Sequence, residues 1–190
     1  LAHWDELVRG VQLTVTFLEE ERVFDAKRLP TDVVLPVLTA LWAGAPQGLD
    51  AEGRARTILR KYLWRAFFSS RYEKSTNSRA LADYLELRTL IADAGASQPA
   101  IFDDGQYPLP QTDELIAARW PTNKDRLGRA VLALALHQGG LDLADGSTVS
   151  RANLPRREYQ HLFPDAHLTR QGISDAEIYR SLNCALVTWQ

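Results

Sequence analysis

The side chains with the most evident chemistry are four histidines, His3, His137, His161 and His167, and one cysteine, Cys184. His161 lies in Tyr159-Gln160-His161-Leu162-Phe163-Pro164. A histidine closing a short strand, with a proline three residues on that turns the chain, has its backbone pinned and its ring presented to the next loop. That placement suits a general base. Taken by itself, the tetrapeptide reads more plainly as a packed structural histidine. Cys184 has no histidine near it in sequence and sits in an apolar strand pattern, so it reads as an inert thiol. One cysteine and scattered histidines exclude a zinc cluster. Neither G-x-x-x-x-G-K-[ST] nor G-x-G-x-x-G is present, so nothing announces nucleotide binding. Asp103-Asp104 beside Gly105 reads as turn chemistry ahead of a paired-carboxylate site.

Two stretches extend the case for His161. Arg157-Glu158-Tyr159-Gln160-His161-Leu162-Phe163-Pro164, with Leu168 behind it and then Ser181-Leu182-Asn183-Cys184-Ala185-Leu186-Val187, resembles the core of the HNH, or His-Me finger, nuclease domain of GmrSD-type restriction endonucleases. Upstream, Leu63 to Tyr72 with Ser75-Thr76-Asn77 resembles the helical segment that in the same proteins joins an N-terminal ParB-like nucleotide-binding domain to the nuclease. The resemblance implies a ββα-metal site that cleaves DNA phosphodiesters in defence against phage. His161 would deprotonate the attacking water, and Mg²⁺ or Mn²⁺ would stabilise charge at the phosphate. Asn183, at the head of the second strand, would brace the loop carrying the histidine. Gln160 stands where the class places an Asp or His ligand; its neutral amide is a poor donor to a hard dication. The remaining ligand would fall just past residue 190, so the finger is expected to be incomplete here and to cleave weakly or not at all. Asp165 and His167 read as a helix cap and an exposed side chain before they read as substitute ligands.

The elements that must position these residues are mostly helices. Trp4, Leu7, Val8, Val11, Val15 and Leu18 recur at helical spacing. Thr31-Asp32 offers a cap for a second helix ending at Ala43, with Pro36 tolerable near its first turn and Gly44-Ala45-Pro46 stopping it. Asp50 caps a third, with an apolar stripe of Ile58, Leu59, Tyr62, Leu63, Ala66 and Phe67. A fourth follows Asn77 or Ser78, with Leu81, Tyr84, Leu85 and Ile91 on its inner face. Glycines and prolines break up the region 94–121, apart from a short helix near Asp113 to Arg119. Asn123 to His137 returns to helical spacing through Leu127, Val131, Leu134 and Ala135. Beyond Gly140, alternation at Leu141 and Leu143 and the hairpin dipeptide Asp145-Gly146 point to short strands.

The fold expected is therefore mainly α: a helical domain over 1–140 followed by a small ββα element over 141–190. The 190-residue chain is 45% hydrophobic and 24% charged, which excludes a disordered or collagen-like chain, and no apolar run approaches the ~20 residues of a membrane span. A single cysteine suits the reducing cytoplasm. A chain that opens on Leu and contains no methionine is expected to be a piece of something longer. Net charge is −2, yet residues 53–79 hold eight basic side chains against one acid, Glu73. Arg56, Arg60 and Arg65 from that window, with Arg156 and Arg157 before the histidine strand, are the candidate DNA contacts. Solvated positions of an amphipathic helix are the plainer reading of the same charges. Two other functions fit the sequence: a helical DNA-binding or interaction module whose finger does not cut, and a helical spacer.

Overall fold

The structure, a computed structural model, describes residues 3–121 and 125–188. It is mainly helical with one small antiparallel sheet, in the order α1 Trp4–Glu20, α2 Val34–Ala43, α3 Leu49–Phe68, α4 Thr76–Ala92, α5 Thr112–Ile116, α6 Arg126–His137, β1 Arg157–His161, α7 Asp165–Arg170, α8 Asp175–Ile178 and β2 Cys184–Thr188. No helix among the described residues is long and apolar enough to cross a membrane.

The chain forms two compact units, Leu1–Glu21 with Thr31–Leu109, and Arg22–Pro30 with Pro110–Gln190. The division thus falls after Leu109 instead of near residue 140. The reason is α6, which packs on the 3₁₀ turn Ser181–Asn183 and on α5, both of the C-terminal unit.

In the N-terminal unit four helices enclose Phe17, Leu38, Trp42, Leu59, Tyr62 and Phe67, all fully buried. The third-helix stripe is as the spacing predicts, with Ile58 alone half-buried. Two other faces are rotated from expectation. Helix α1 turns Gly10, Thr14, Phe17 and Leu18 inward and leaves Trp4, Leu7, Val8, Val11 and Val15 exposed. Its contact with α2 is close because Gly10 has no side chain: a Cβ there would overlap the Thr39 carbonyl oxygen. Helix α4 buries Asp83, Leu87, Leu90 and Ile91, while Leu81 and Leu85 face solvent. Asp83 sets that phase by accepting hydrogen bonds from Arg71 Nε (3.1 Å), Arg71 Nη2 (2.7 Å) and the Tyr72 hydroxyl (2.6 Å). A buried carboxylate satisfied this fully is tolerated inside.

The C-terminal unit is built around β1 and β2, paired antiparallel from Arg157 opposite Thr188 to His161 opposite Cys184. Val149, Leu154 and Leu186 form its core cluster, with Phe24, Leu136 and Tyr159 packed on it. Helix α6 is capped by Asp125, whose Oδ1 accepts the Gly128 N–H at 2.7 Å; the predicted start at Asn123 lies outside the described residues. It buries Gly128, Ala130, Leu132 and Ala133, whereas Leu134 and Ala135 of the predicted face are exposed. The strands expected around 141–149 reduce to one isolated bridge, Leu141 to Thr148, about a turn in which Gly146 adopts φ +71°. Asp142 in that turn is buried and accepts from Arg157 Nε (2.7 Å), the Thr188 hydroxyl (2.5 Å) and the Ala144 N–H (2.8 Å). These bonds leave little room for a second ladder.

Candidate functional site

His161 is the last residue of β1. Its ring is half-buried, stacked on Trp120 (centroids 4.2 Å apart, planes 28°) and met edge-on by Tyr179 (5.0 Å, 78°). Nε2 is shut off from solvent and has no hydrogen-bond partner among the described residues. Such an atom carries a desolvation cost that a purely structural histidine would relieve with a carbonyl or a carboxylate. Tyr179 is fixed in turn: its hydroxyl donates to Asp165 Oδ2 at 2.9 Å, and that bond raises the phenol pKa. Asp165 Oδ1 also accepts from the Thr169 hydroxyl at 3.0 Å, so this carboxylate is engaged within the first turn of α7.

A thin two-stranded contact places the two aromatic walls. The Trp120 N–H donates to the Tyr179 carbonyl at 2.7 Å and the Ser181 N–H to the Ala118 carbonyl at 2.8 Å, with Arg119 opposite Arg180 between them. Gly128 of α6 backs this ribbon; a Cβ there would overlap the Arg119 carbonyl oxygen.

Asn183 sits at the head of β2 with the side chain buried. Its Oδ1 accepts the Phe163 N–H (2.9 Å), and its Nδ2 donates to the carbonyls of Phe163 (3.3 Å) and Ile178 (3.0 Å). Its own carbonyl takes the Leu162 N–H at 2.9 Å. The two residues after His161 are thereby tied to the residue before β2. The structure brings Asn183 onto the loop that follows His161 in this way.

Most of the arginines singled out as DNA contacts are committed elsewhere. Arg56 pairs with Glu20 and Glu52 and lies over the Trp42 ring. Arg60 Nε donates to the fully buried Glu21 at 2.5 Å. Arg65 is buried, donating to the carbonyls of Ile101 (3.0 Å) and Tyr107 (2.7 Å) and pairing with Asp104. Arg157 is buried against Asp142 and donates to the Ser147 hydroxyl at 2.5 Å. Arg156 stands exposed, and Arg60, though paired, is exposed as well. The basic window behaves likewise: Arg54 donates to the Ile91 carbonyl, Arg71 to Asp83, Arg79 to the Arg71 carbonyl, and Lys61 lies over Phe102. Apart from exposed Lys74, these side chains are engaged within the helical unit. Long cationic side chains with buried stems do this readily.

Among the described residues no three His, Cys, Asp or Glu side chains gather as a metal group. Gln160 is half-buried in β1 opposite Ala185, and Asp165 is occupied by Tyr179 and Thr169. These donors do not fit a hard dication, which asks for several free oxygens at once. The thiol of Cys184 is buried and pushed up to about 12 by desolvation, in keeping with an inert cysteine. Trp120, Tyr179 and the Arg119–Arg180 pair are functional candidates that the spacing does not reveal. They meet only through pairing of segments some sixty residues apart, one of which, around Trp120, lies in the region that reads as irregular. The chain matches no family model, no curated protein and no solved structure.

Proposed function

We propose that the C-terminal unit is the histidine finger of a DNA phosphodiesterase of the GmrSD restriction type. In this reading His161 takes a proton from a water molecule as its oxygen bonds to phosphorus, the P–O bond to the leaving sugar oxygen breaks, that oxygen takes a proton from solvent, and His161 gives its own back to solvent. The observation that carries the reading is the clamp from Asn183 to both backbone groups of Phe163. A base effective in proton transfer needs a fixed backbone, and this residue pair supplies it for the loop next to His161. A ParB-like nucleotide-binding domain is the partner the same reading calls for.

A second reading, a DNA-binding module that does not cut, is favoured by the stacking of the His161 ring on Trp120. Nicking of supercoiled plasmid by the full-length protein, with Mg²⁺ or Mn²⁺, separates the two. The enzyme reading expects nicked product that disappears in His161→Ala at unchanged melting temperature. Nicking that survives the substitution overturns His161 as the base, and none by a folded, DNA-binding protein leaves the second reading.

A further inference from the structure

Arg119 and Arg180 face each other in a bridge closed by the bonds from Trp120 to Tyr179 and from Ser181 to Ala118. This is the pair type without direct bonds between the facing residues, in which opposed side chains come closest, about 4.5 Å between Cα atoms. Like charges directly opposite at that spacing oppose folding. Neither guanidinium makes a hydrogen bond or an ion pair among the described residues. Glu177 feels the charge of Arg180, but it is held by the Ser174 hydroxyl at 2.8 Å as the cap of α8. Arg119 is exposed and Arg180 half-buried. Trp120 and Tyr179, their immediate neighbours, form the walls of His161. An arginine pair with no hydrogen-bonded carboxylate among the described residues, on the ribbon that also carries the walls of the candidate site, has the charge and the donors to take phosphate oxygens.

We propose that Arg119 and Arg180 bind the nucleic-acid backbone, holding phosphates that flank the one presented to His161. The assignment rests on the phosphodiesterase reading for the owner of the phosphate, while the fork itself follows from the bridge. Alternation along the ribbon puts the two arginines on the face opposite Trp120 and Tyr179. On that face they do not touch the reacting phosphate and are positioning residues.

The test is binding of a fluorescent 20-base-pair duplex by the whole chain, followed by anisotropy over a series of salt concentrations without divalent metal. Each phosphate neutralised contributes about −0.9 to the slope of log K against log salt. Arg119→Gln with Arg180→Gln is expected to flatten the slope by about 1.8 and to weaken binding at least tenfold at low salt. The melting temperature should hold or rise as the repulsion is removed, and Arg119→Lys with Arg180→Lys should keep most of the slope. A slope unchanged in the Gln pair overturns the proposal, as does a loss of binding that merely tracks unfolding. Inorganic phosphate at millimolar concentration is the second arm; if it displaces the duplex completely, the fork is a free-anion site and the backbone assignment is wrong. Absence of nicking with an altered slope would remove the phosphodiesterase reading and leave the fork, whereas nicking with an unaltered slope would do the reverse.

Discussion

Replacing Asn183 by Ala removes three hydrogen bonds at one stroke, and their surroundings set the cost. The Ile178 carbonyl belongs to a fully buried residue and would lose its Asn183 partner out of reach of water, at about 1–2 kcal/mol. The Phe163 N–H and carbonyl lie beside an exposed side chain and can rehydrate, so losing those two bonds costs about 1 kcal/mol together. The sum is about 2–3 kcal/mol. With a urea m-value of roughly 2–3 kcal/mol/M for a chain of this size, the unfolding midpoint should fall by about 1 M at unchanged slope. Asn183→Asp should do no better, because it keeps one acceptor and turns a second oxygen toward two carbonyls. Equilibrium urea unfolding followed by far-UV circular dichroism reads the shift. A displacement below about 0.3 M in Asn183→Ala would refute the brace, and with it the argument that the loop after His161 is rigid.

Other expectations follow from the same contacts. Arg157→Ala strips the partner from buried Asp142 and should cost about 3–5 kcal/mol in urea unfolding; a folded, stable variant with only weakened DNA binding would restore Arg157 as a backbone contact. Gly128→Ala should lower the melting temperature by several degrees and raise the exposure of Trp120, read by fluorescence quenching, because the new methyl displaces the Arg119 carbonyl. Burial pushes the Asp142 carboxyl up, but the Thr188 hydroxyl, the Ala144 N–H and Arg157 outweigh it and hold the group below the ordinary carboxylate range. A depressed folded-state value means that its stabilisation is complete above about pH 4 and is lost as the pH falls through that value. The unfolding midpoints of wild type and Asp142→Asn should accordingly converge in acid and separate toward neutrality; a constant gap would contradict the assignment.

The helices were legible in the sequence, and their inward faces much less so. Apolar spacing locates α1, α4 and α6, but it marks Val11, Leu85 and Leu134 as inner residues where the structure exposes them. What turns inward is marked by Gly10, Asp83 and Gly128: a close helix contact, a paired carboxylate and a close strand contact. None of these raises local hydrophobicity, so periodicity misses them. His161 and Asn183 were singled out through resemblance, and the structure places the Asn183 side chain on the backbone of Phe163, two residues beyond His161. Trp120, Tyr179 and the facing arginines were not, since a two-residue bridge between distant segments leaves no pattern in either one. Charge counting misled in the opposite sense. The basic run at 53–79 suggests a nucleic-acid face, yet its guanidiniums are consumed by Glu20, Glu21, Asp83, Asp104 and backbone carbonyls.

Ring-nitrogen NMR of the four histidines, recorded while a short DNA duplex is added and with His161 identified by its absence in His161→Gln, addresses the site most directly. If His161 faces the scissile backbone, its nitrogen signals move in a saturable titration while those of His3 and His137 stay in place. Signals of His161 that remain fixed as the duplex binds would contradict the account and leave the imidazole a packing element between Trp120 and Tyr179.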